Sequence, residues 1–152
     1  MKLKEVMTPG VEVIAPEATL QQAAAKMRRL NIGPLPVCDG DQLVGMLTDR
    51  DITVRAVAEG CDPTSTTVRE AMTPDIAYCF DDQAIGDAIR TMERYQIRRL
   101  PILDRDKRLV GMVSLLGAVG ATRRRVRRHV RGRLTLHQAG DAVVEVEPTQ
   151  TF

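Results

Sequence analysis

The feature that most constrains this chain is an internal duplication. Met7-Thr8-Pro9 returns as Met72-Thr73-Pro74, and the match holds at an offset of 65 through Leu20 and Ile85, Met27 and Met92, Ile32 and Ile97, and Leu35-Pro36-Val37 and Leu100-Pro101-Ile102. One extra residue near Arg105 shifts the offset to 66, after which Leu43-Val44-Gly45-Met46 matches Leu109-Val110-Gly111-Met112. A repeat this short has too few strands and helices to close its own apolar faces. Two copies over about residues 1–120 are therefore expected to pack as one pseudo-symmetric unit with two equivalent clefts between them.

Each repeat has one reading in secondary structure. After Met-Thr-Pro comes a short extended piece, Val11-Glu12-Val13-Ile14 or Ile76-Ala77-Tyr78-Cys79. A helix follows. In repeat one Glu17-Ala18-Thr19 caps a run whose apolar residues Leu20, Ala23, Ala24, Met27 and Leu30 step by three and four. In repeat two Asp81 or Asp82 is expected to cap the run through Ile85, Ile89 and Met92. Two strands then flank a turn, Asp39-Gly40-Asp41 in repeat one and Asp104-Arg105-Asp106-Lys107 in repeat two. A second helix starts at Thr48 or Ser114 and, in repeat one, runs from Ile52 to a stop at Gly60. The fold class is thus mixed α/β, with a short three-stranded sheet and two helices per repeat.

These boundaries divide the chain into repeat one at 1–60, a turn-rich linker at 61–68, repeat two at 69–122 and a different tail at 123–152. The formal net charge of +2 hides how uneven the chain is. Residues 123–133 hold seven arginines and no acid, whereas residues 134–152 hold three acids and no lysine or arginine. The helix of repeat two is expected to continue through Val119, Val126 and Val130 and to end at Gly132. Leu134-Thr135-Leu136 and Ala142-Val143-Val144-Glu145-Val146 alternate around Gly140-Asp141 and predict a hairpin.

Only 3% of the residues are aromatic, so the core must be built from aliphatic residues and methionine. Met27, Met46, Met92 and Met112 fall at core spacing. The three cysteines are far apart and lack a C-x-x-C pair, which favours a reducing cytoplasm over a disulfide framework or a zinc site. Cys38 and Cys79 read as small buried hydrophobes, and Cys61 as an exposed linker thiol. The first residues contain no apolar segment of the signal-peptide kind, and no apolar run is long enough to span a membrane. The repeats contain no histidine, and nothing in them forms a set for acid–base or covalent catalysis, so the chain reads as a binder and not an enzyme.

The chemistry centres on Gly45-Met46-Leu47-Thr48-Asp49-Arg50-Asp51. A hydroxyl at a helix N-terminus suits a phosphate, because free backbone N–H groups and the helix dipole point at it. Asp51, one turn on, suits the paired hydroxyls of a ribose. The second copy, Gly111-Met112-Val113-Ser114-Leu115-Leu116-Gly117, keeps the hydroxyl and lacks both carboxylates.

Two copies of Met-Thr-Pro, strand, helix, L-P-V, turn and L-V-G-h-x-T/S resemble the cystathionine-β-synthase-type (CBS) domain in tandem, over about residues 5–120. The run Thr48-Asp49-Arg50-Asp51-Ile52 is similar to the small stand-alone bacterial members. The resemblance implies a regulatory module with no chemistry of its own, binding AMP, ADP or ATP ahead of NAD or S-adenosylmethionine. It also implies a homodimer through the helices. Carried over, it places Thr48 and Asp51 opposite Ile76, Ala77, Arg98 and Arg99 in a first cleft. A second cleft would combine Ser114 with Val11, Glu12, Gly33 and Pro34, with Gly117 where the ribose-binding aspartate belongs. That cleft is expected to have lost its carboxylate and its cations. A charge-assisted contact contributes about 1.5–3 kcal/mol, so one competent site per chain is expected. The competing reading makes the repeats a scaffold and gives nucleic-acid or anionic-surface binding to Arg123–Arg133.

Overall fold

The reason the two repeats fold together lies in their leading segments. A 3₁₀ turn at Leu3–Glu5 precedes the first Met-Thr-Pro, and the matching helix α3 (Val68–Ala71) precedes the second. Neither belongs to the repeat it introduces. Leu3, fully buried, sits in the apolar core of repeat two with Cys79, Ile85, Met92, Leu100 and Ile102. Val68 and Ala71 complete the core of repeat one with Leu20, Met27, Leu35, Val37 and Leu47. The backbone follows: Leu3 and Lys4 donate to Gln83 and Asp81, while Val68 and Arg69 donate to Ala18 and Pro16. The computed structural model describes residues 1–136, with side chains through Val126.

Helix α1 (Leu20–Leu30) opens with Thr19, whose Oγ1 accepts the Gln22 N–H while Gln22 Oε1 accepts the Thr19 N–H. It turns Leu20, Ala23 and Met27 inward. The hairpin β1 (Pro34–Asp39) and β2 (Gln42–Thr48) closes through Gly40 at φ +63°, a conformation that costs a glycine little. Helix α2 (Asp49–Asp51) follows and is wound on as a π turn, Ile52–Val57, until Gly60 at φ +72°. Sequence periodicity predicted an ordinary helix here. The wider winding shows in the i to i+5 bond from Ala58 N–H to the Thr53 carbonyl.

Repeat two retraces this path with β3 (Thr73–Pro74), β4 (Cys79–Phe80), α4 (Ile85–Tyr95), β5 (Arg99–Leu103), β6 (Leu109–Ser114) and α5 (Leu115–Leu136). Its first helix departs from expectation at the cap. Neither Asp81 nor Asp82 caps α4: Ala84 occupies the N-cap position and donates its N–H to the Asp87 carboxylate. Asp82 is instead engaged by the Arg105 guanidinium in two 2.9 Å hydrogen bonds.

Among the described residues there are two three-stranded sheets; the first takes its third strand from the opening of repeat two, and the second meets the opening of repeat one at a single bridge. β1 and β2 pair antiparallel, and β3 adds to β2 through Gly45–Pro74 and Met46–Thr73. In the second sheet β4 runs parallel to β5, which pairs antiparallel with β6. Single bridges supply the missing counterparts, Ile14 with Val37 in parallel and Thr8 with Met112 antiparallel. Each hairpin also carries a register shift at the same place, Val37/Cys38 and Ile102/Leu103. The exchange explains the glycines of the two L-V-G-M strands. A Cβ on Gly45 would stand 2.7 Å from the Thr73 carbonyl oxygen, and one on Gly111 would stand 2.9 Å from that of Thr8.

Helix α5 does not stop at Gly132 but runs to Leu136. That also removes Leu134-Thr135-Leu136 from the expected hairpin. The remainder of that hairpin lies outside the described residues.

Candidate functional site

Between the repeats lie two clefts built from matching elements. Cleft one, about 540 Å³, is lined by Thr48 and Asp49 at the end of β2 and by Ile76, Ala77, Arg98 and Arg99 from repeat two. Thr48 is held there because β2 ends where the chain turns into α2. Its Oγ1 accepts the Asp51 N–H at 3.1 Å, and the Asp51 carboxylate accepts the Thr48 N–H at 2.9 Å. This reciprocal box consumes the first free donors of the turn, so the Thr48 N–H is already satisfied.

Five of the six residues expected in cleft one line it. Asp51 does not; it stands just behind, in the box with Thr48, with its other oxygen 3.8 Å from the Arg55 Nε. Asp49, the other carboxylate of the same run, lines the cleft, as do Asp75 and Tyr95. Among the described residues none of Asp49, Asp75, Arg98 and Arg99 takes part in an ion pair. The cleft therefore presents two carboxylates and two guanidiniums with their charges open.

Cleft two, about 500 Å³, is lined by Val11, Glu12, Pro34, Met112 and Ser114. Gly33 is absent from the lining. Its carbonyl accepts the Asp49 N–H, and a Cβ there would lie 3.0 Å from Asp49 Oδ1. Ser114 Oγ accepts the Gly117 N–H at 3.0 Å, so its hydroxyl caps α5. The sequence predicts a cleft two without cations, but Arg99 lines both clefts. It stands at the start of β5, on the boundary between them. Glu12, the acid of cleft two, is paired with Lys26 at 2.9 Å. That hydrogen bond and charge hold its carboxyl below the usual glutamate range.

The methionines divide. Met27 and Met92 are buried core, but Met46 and Met112 are half-buried and line clefts one and two respectively. Each follows the buried glycine of its strand and lines a cleft instead of the core, a placement no periodicity reveals. Tyr95 and Asp75 were also missed. Asp75 aligns with Gly10 at the repeat offset, and both take a positive φ, +52° and +64°. Cys38 and Cys79 are buried and Cys61 is exposed, as expected. Burial, helped by the nearby Asp41 charge, pushes the Cys38 thiol up to about 11. Among the described residues no cluster of three or more His, Cys, Asp or Glu could hold a metal, and no helix is long and apolar enough to cross a membrane.

The CBS domain profile matches this chain twice, at residues 3–57 and 68–119. The chain belongs to the CBS-domain family. The CBS domain-containing protein YhcV of Bacillus subtilis is 42% identical over 113 residues, covering 74% of this chain and 79% of YhcV. The crystal structure of Hypoxic Response Protein I with two coordinated zinc ions is 37% identical, with a TM-score of 0.74 over 80% of this chain and 98% of that one. CBSX2, a CBS-pair protein of Arabidopsis thaliana, was solved in complex with AMP. That complex is 25% identical, with a TM-score of 0.70, and covers 81% of this chain and 96% of CBSX2. The two repeats are thus a CBS pair, the architecture of a regulatory module. The family match begins at Leu3, which fits the role of that residue in closing the second core.

Proposed function

We propose that this CBS pair is a sensor that binds one adenine nucleotide in cleft one and changes the surface it shows to a partner. The observation that carries this reading is the convergence of Thr48 from repeat one with Ile76, Ala77, Arg98 and Arg99 from repeat two around one cleft of about 540 Å³. In this reading the backbone of Ile76 and Ala77 reads adenine, while Arg98 and Arg99, both unpaired among the described residues, take the phosphate. Ribose hydroxyls go to Asp51, with Asp49 beside it. AMP, ADP or ATP suits this charge pattern better than NAD or S-adenosylmethionine. The AMP bound by CBSX2 supports the ligand class. Cleft two keeps an acid already paired with a lysine and has Gly117 in the position that Asp51 holds in repeat one, so it does not compete.

The reading makes the protein a regulator and not a catalyst. It also includes a homodimer, supported by exposed Val54, Val57 and Leu116 on the helical segments that follow the two hairpins. A ligand held between the repeats acts on their mutual packing, and it can shift that packing only as far as it prefers one arrangement.

The test is thermal melting of ligand-stripped protein with AMP, ADP, ATP, NAD or S-adenosylmethionine, repeated on Asp51→Ala and Arg98→Ala. A ligand selective for the folded state raises Tm. A rise with an adenine nucleotide that shrinks in both variants supports the reading. The absence of any rise in the wild-type protein overturns it.

A further inference from the structure

The repeat-two helix carries a feature that the sensor reading leaves unused. Its counterpart in repeat one ends at Val57, which aligns with Arg123, and the family match ends at residue 119. α5 nevertheless continues to Leu136, through seven arginines in residues 123–133 and no acid. The exposed Arg123, Arg124 and Arg125 form no ion pair among the described residues, and neither does Lys2. The fold brings the first residues of the chain against α5 at this point. A hollow of about 860 Å³ has Val6 and Ala121 among its walls and carries Lys2, Arg124, Arg125 and Glu5. Glu5 is the single acid on that lining among the described residues, and its carboxylate accepts the Lys2 backbone N–H at 2.9 Å. The hollow is therefore net cationic, and it opens beside a helix that is more cationic still.

We propose that this hollow and the arginine run of α5 bind the phosphate backbone of a nucleic-acid duplex. A guanidinium forks onto phosphate oxygens and stays charged at any working pH. At about 1.5 Å of helix per residue, seven arginines fall within roughly 15 Å, a density of the same order as the duplex's phosphates, about one per 1.7 Å. The other polyanions fit less well. A single strand binds by stacking bases on large aromatic rings, and neither the described lining of the hollow nor residues 123–133 contain a Phe, Tyr or Trp. A lipid surface or a protein interface needs apolar area, and Val126 and Val130 are the only large apolar side chains in that run. The inference does not depend on the nucleotide cleft, and its test contains no nucleotide.

The experiment is fluorescence anisotropy of the full chain with a labelled mixed-sequence duplex of about 20 base pairs, from about 50 to 200 mM salt. The expected log–log slope is about −4, reflecting four to five phosphates neutralised. The triple variant Arg123→Ala, Arg124→Ala, Arg125→Ala should flatten the slope by about 3 and weaken binding at least ~10-fold, and Lys2→Ala should flatten it by about 1. A triple change to lysine, which keeps the charge, should retain most of the slope. These side chains are exposed, so unchanged melting of the variants separates lost binding from lost folding. No binding at the lowest salt, binding that the triple alanine variant leaves intact, or capture by anionic phospholipid vesicles or oligo-dT without capture by the duplex would overturn the proposal. An unchanged slope in Lys2→Ala would overturn the part played by the hollow.

Discussion

Cleft one and cleft two are the same construction carried out twice, and the difference between them is one of charge bookkeeping, not of shape. Both lie between a β2-type strand ending in a hydroxyl and the opening segment of the other repeat, and their volumes differ little, about 540 against 500 Å³. In cleft one Asp49, Asp75, Arg98 and Arg99 have no ionic partners among the described residues. In cleft two Glu12 is neutralised by Lys26, and only Arg99 remains as a shared cation. Duplication preserved what closes the cores and let the cleft-lining charges diverge. The scaffold should therefore respond alike in both halves, and the ligand should respond in one.

The strongest test of the shared scaffold is removal of an exchanged apolar anchor. Leu3→Ala empties a fully buried site in the core of repeat two and should cost about 2–5 kcal/mol. Val68→Ala does the same to repeat one at about 2 kcal/mol. Urea unfolding should remain a single transition in both variants, because each anchor joins the two cores. A variant that unfolds in two separate steps would break the picture of interlocked halves.

Gly45→Ala and Gly111→Ala come next. Each forces a methyl against the carbonyl of an exchanged segment, with an expected cost of about 1–3 kcal/mol and similar values in the two positions. A large cost at one glycine alone would show that only one sheet needs its borrowed strand.

Binding should then separate the clefts. Arg98→Ala should weaken an adenine nucleotide about tenfold in titration calorimetry, close to 1.4 kcal/mol, whereas Ser114→Ala should leave its affinity unchanged. A stoichiometry of two equal sites per chain would abolish the asymmetry.

The smallest effect is expected from acid. The folded-state pKa of Glu12 is lowered by Lys26, and those of Asp82 and Asp104 are lowered by bonds to Arg105 and Arg108. A lowered carboxylate stabilises the fold above its ordinary value, 4.5 for glutamate and 3.8 for aspartate, and that contribution is lost as pH falls through the folded-state value. Glu12 and Asp82 are exposed and Asp104 is half-buried at the surface, so the loss is small. Wild-type Tm should fall slightly more on acidification than that of Glu12→Gln, and Asp82→Asn should show the same small difference in repeat two.

How much of this was legible without coordinates follows from which forces act locally. The duplication, the hairpins with their turns and the caps at Thr19, Thr48 and Ser114 are written in neighbouring residues, and they are found where the sequence places them. The exchange of leading segments was not legible. It rests on one leucine, one short helix and strands of two residues or a single bridge, too short for any period to register. Asp51 illustrates a subtler limit. Spacing puts it one turn from Thr48, but the same spacing lets its carboxylate close a capping box, and this leaves Asp49 on the cleft wall. Arg99 was assigned to one cleft because sequence order has no way to show that β5 begins on the boundary of both. The extension of α5 past Gly132 shows how weak a single glycine is as a stop signal when the flanking residues favour helix.

The exchanged leading segments have a consequence for the ancestry of the chain. A single repeat, taken alone, would have a vacancy where the other copy's leucine or valine sits and an outer hairpin strand without a neighbour. Two separate half-length molecules could fill both gaps only by trading their first residues with each other. The present chain is therefore geometrically equivalent to a segment-swapped dimer whose halves have been joined, with Cys61–Thr67 as the join. Cutting that join should leave two fragments that fold only in each other's company.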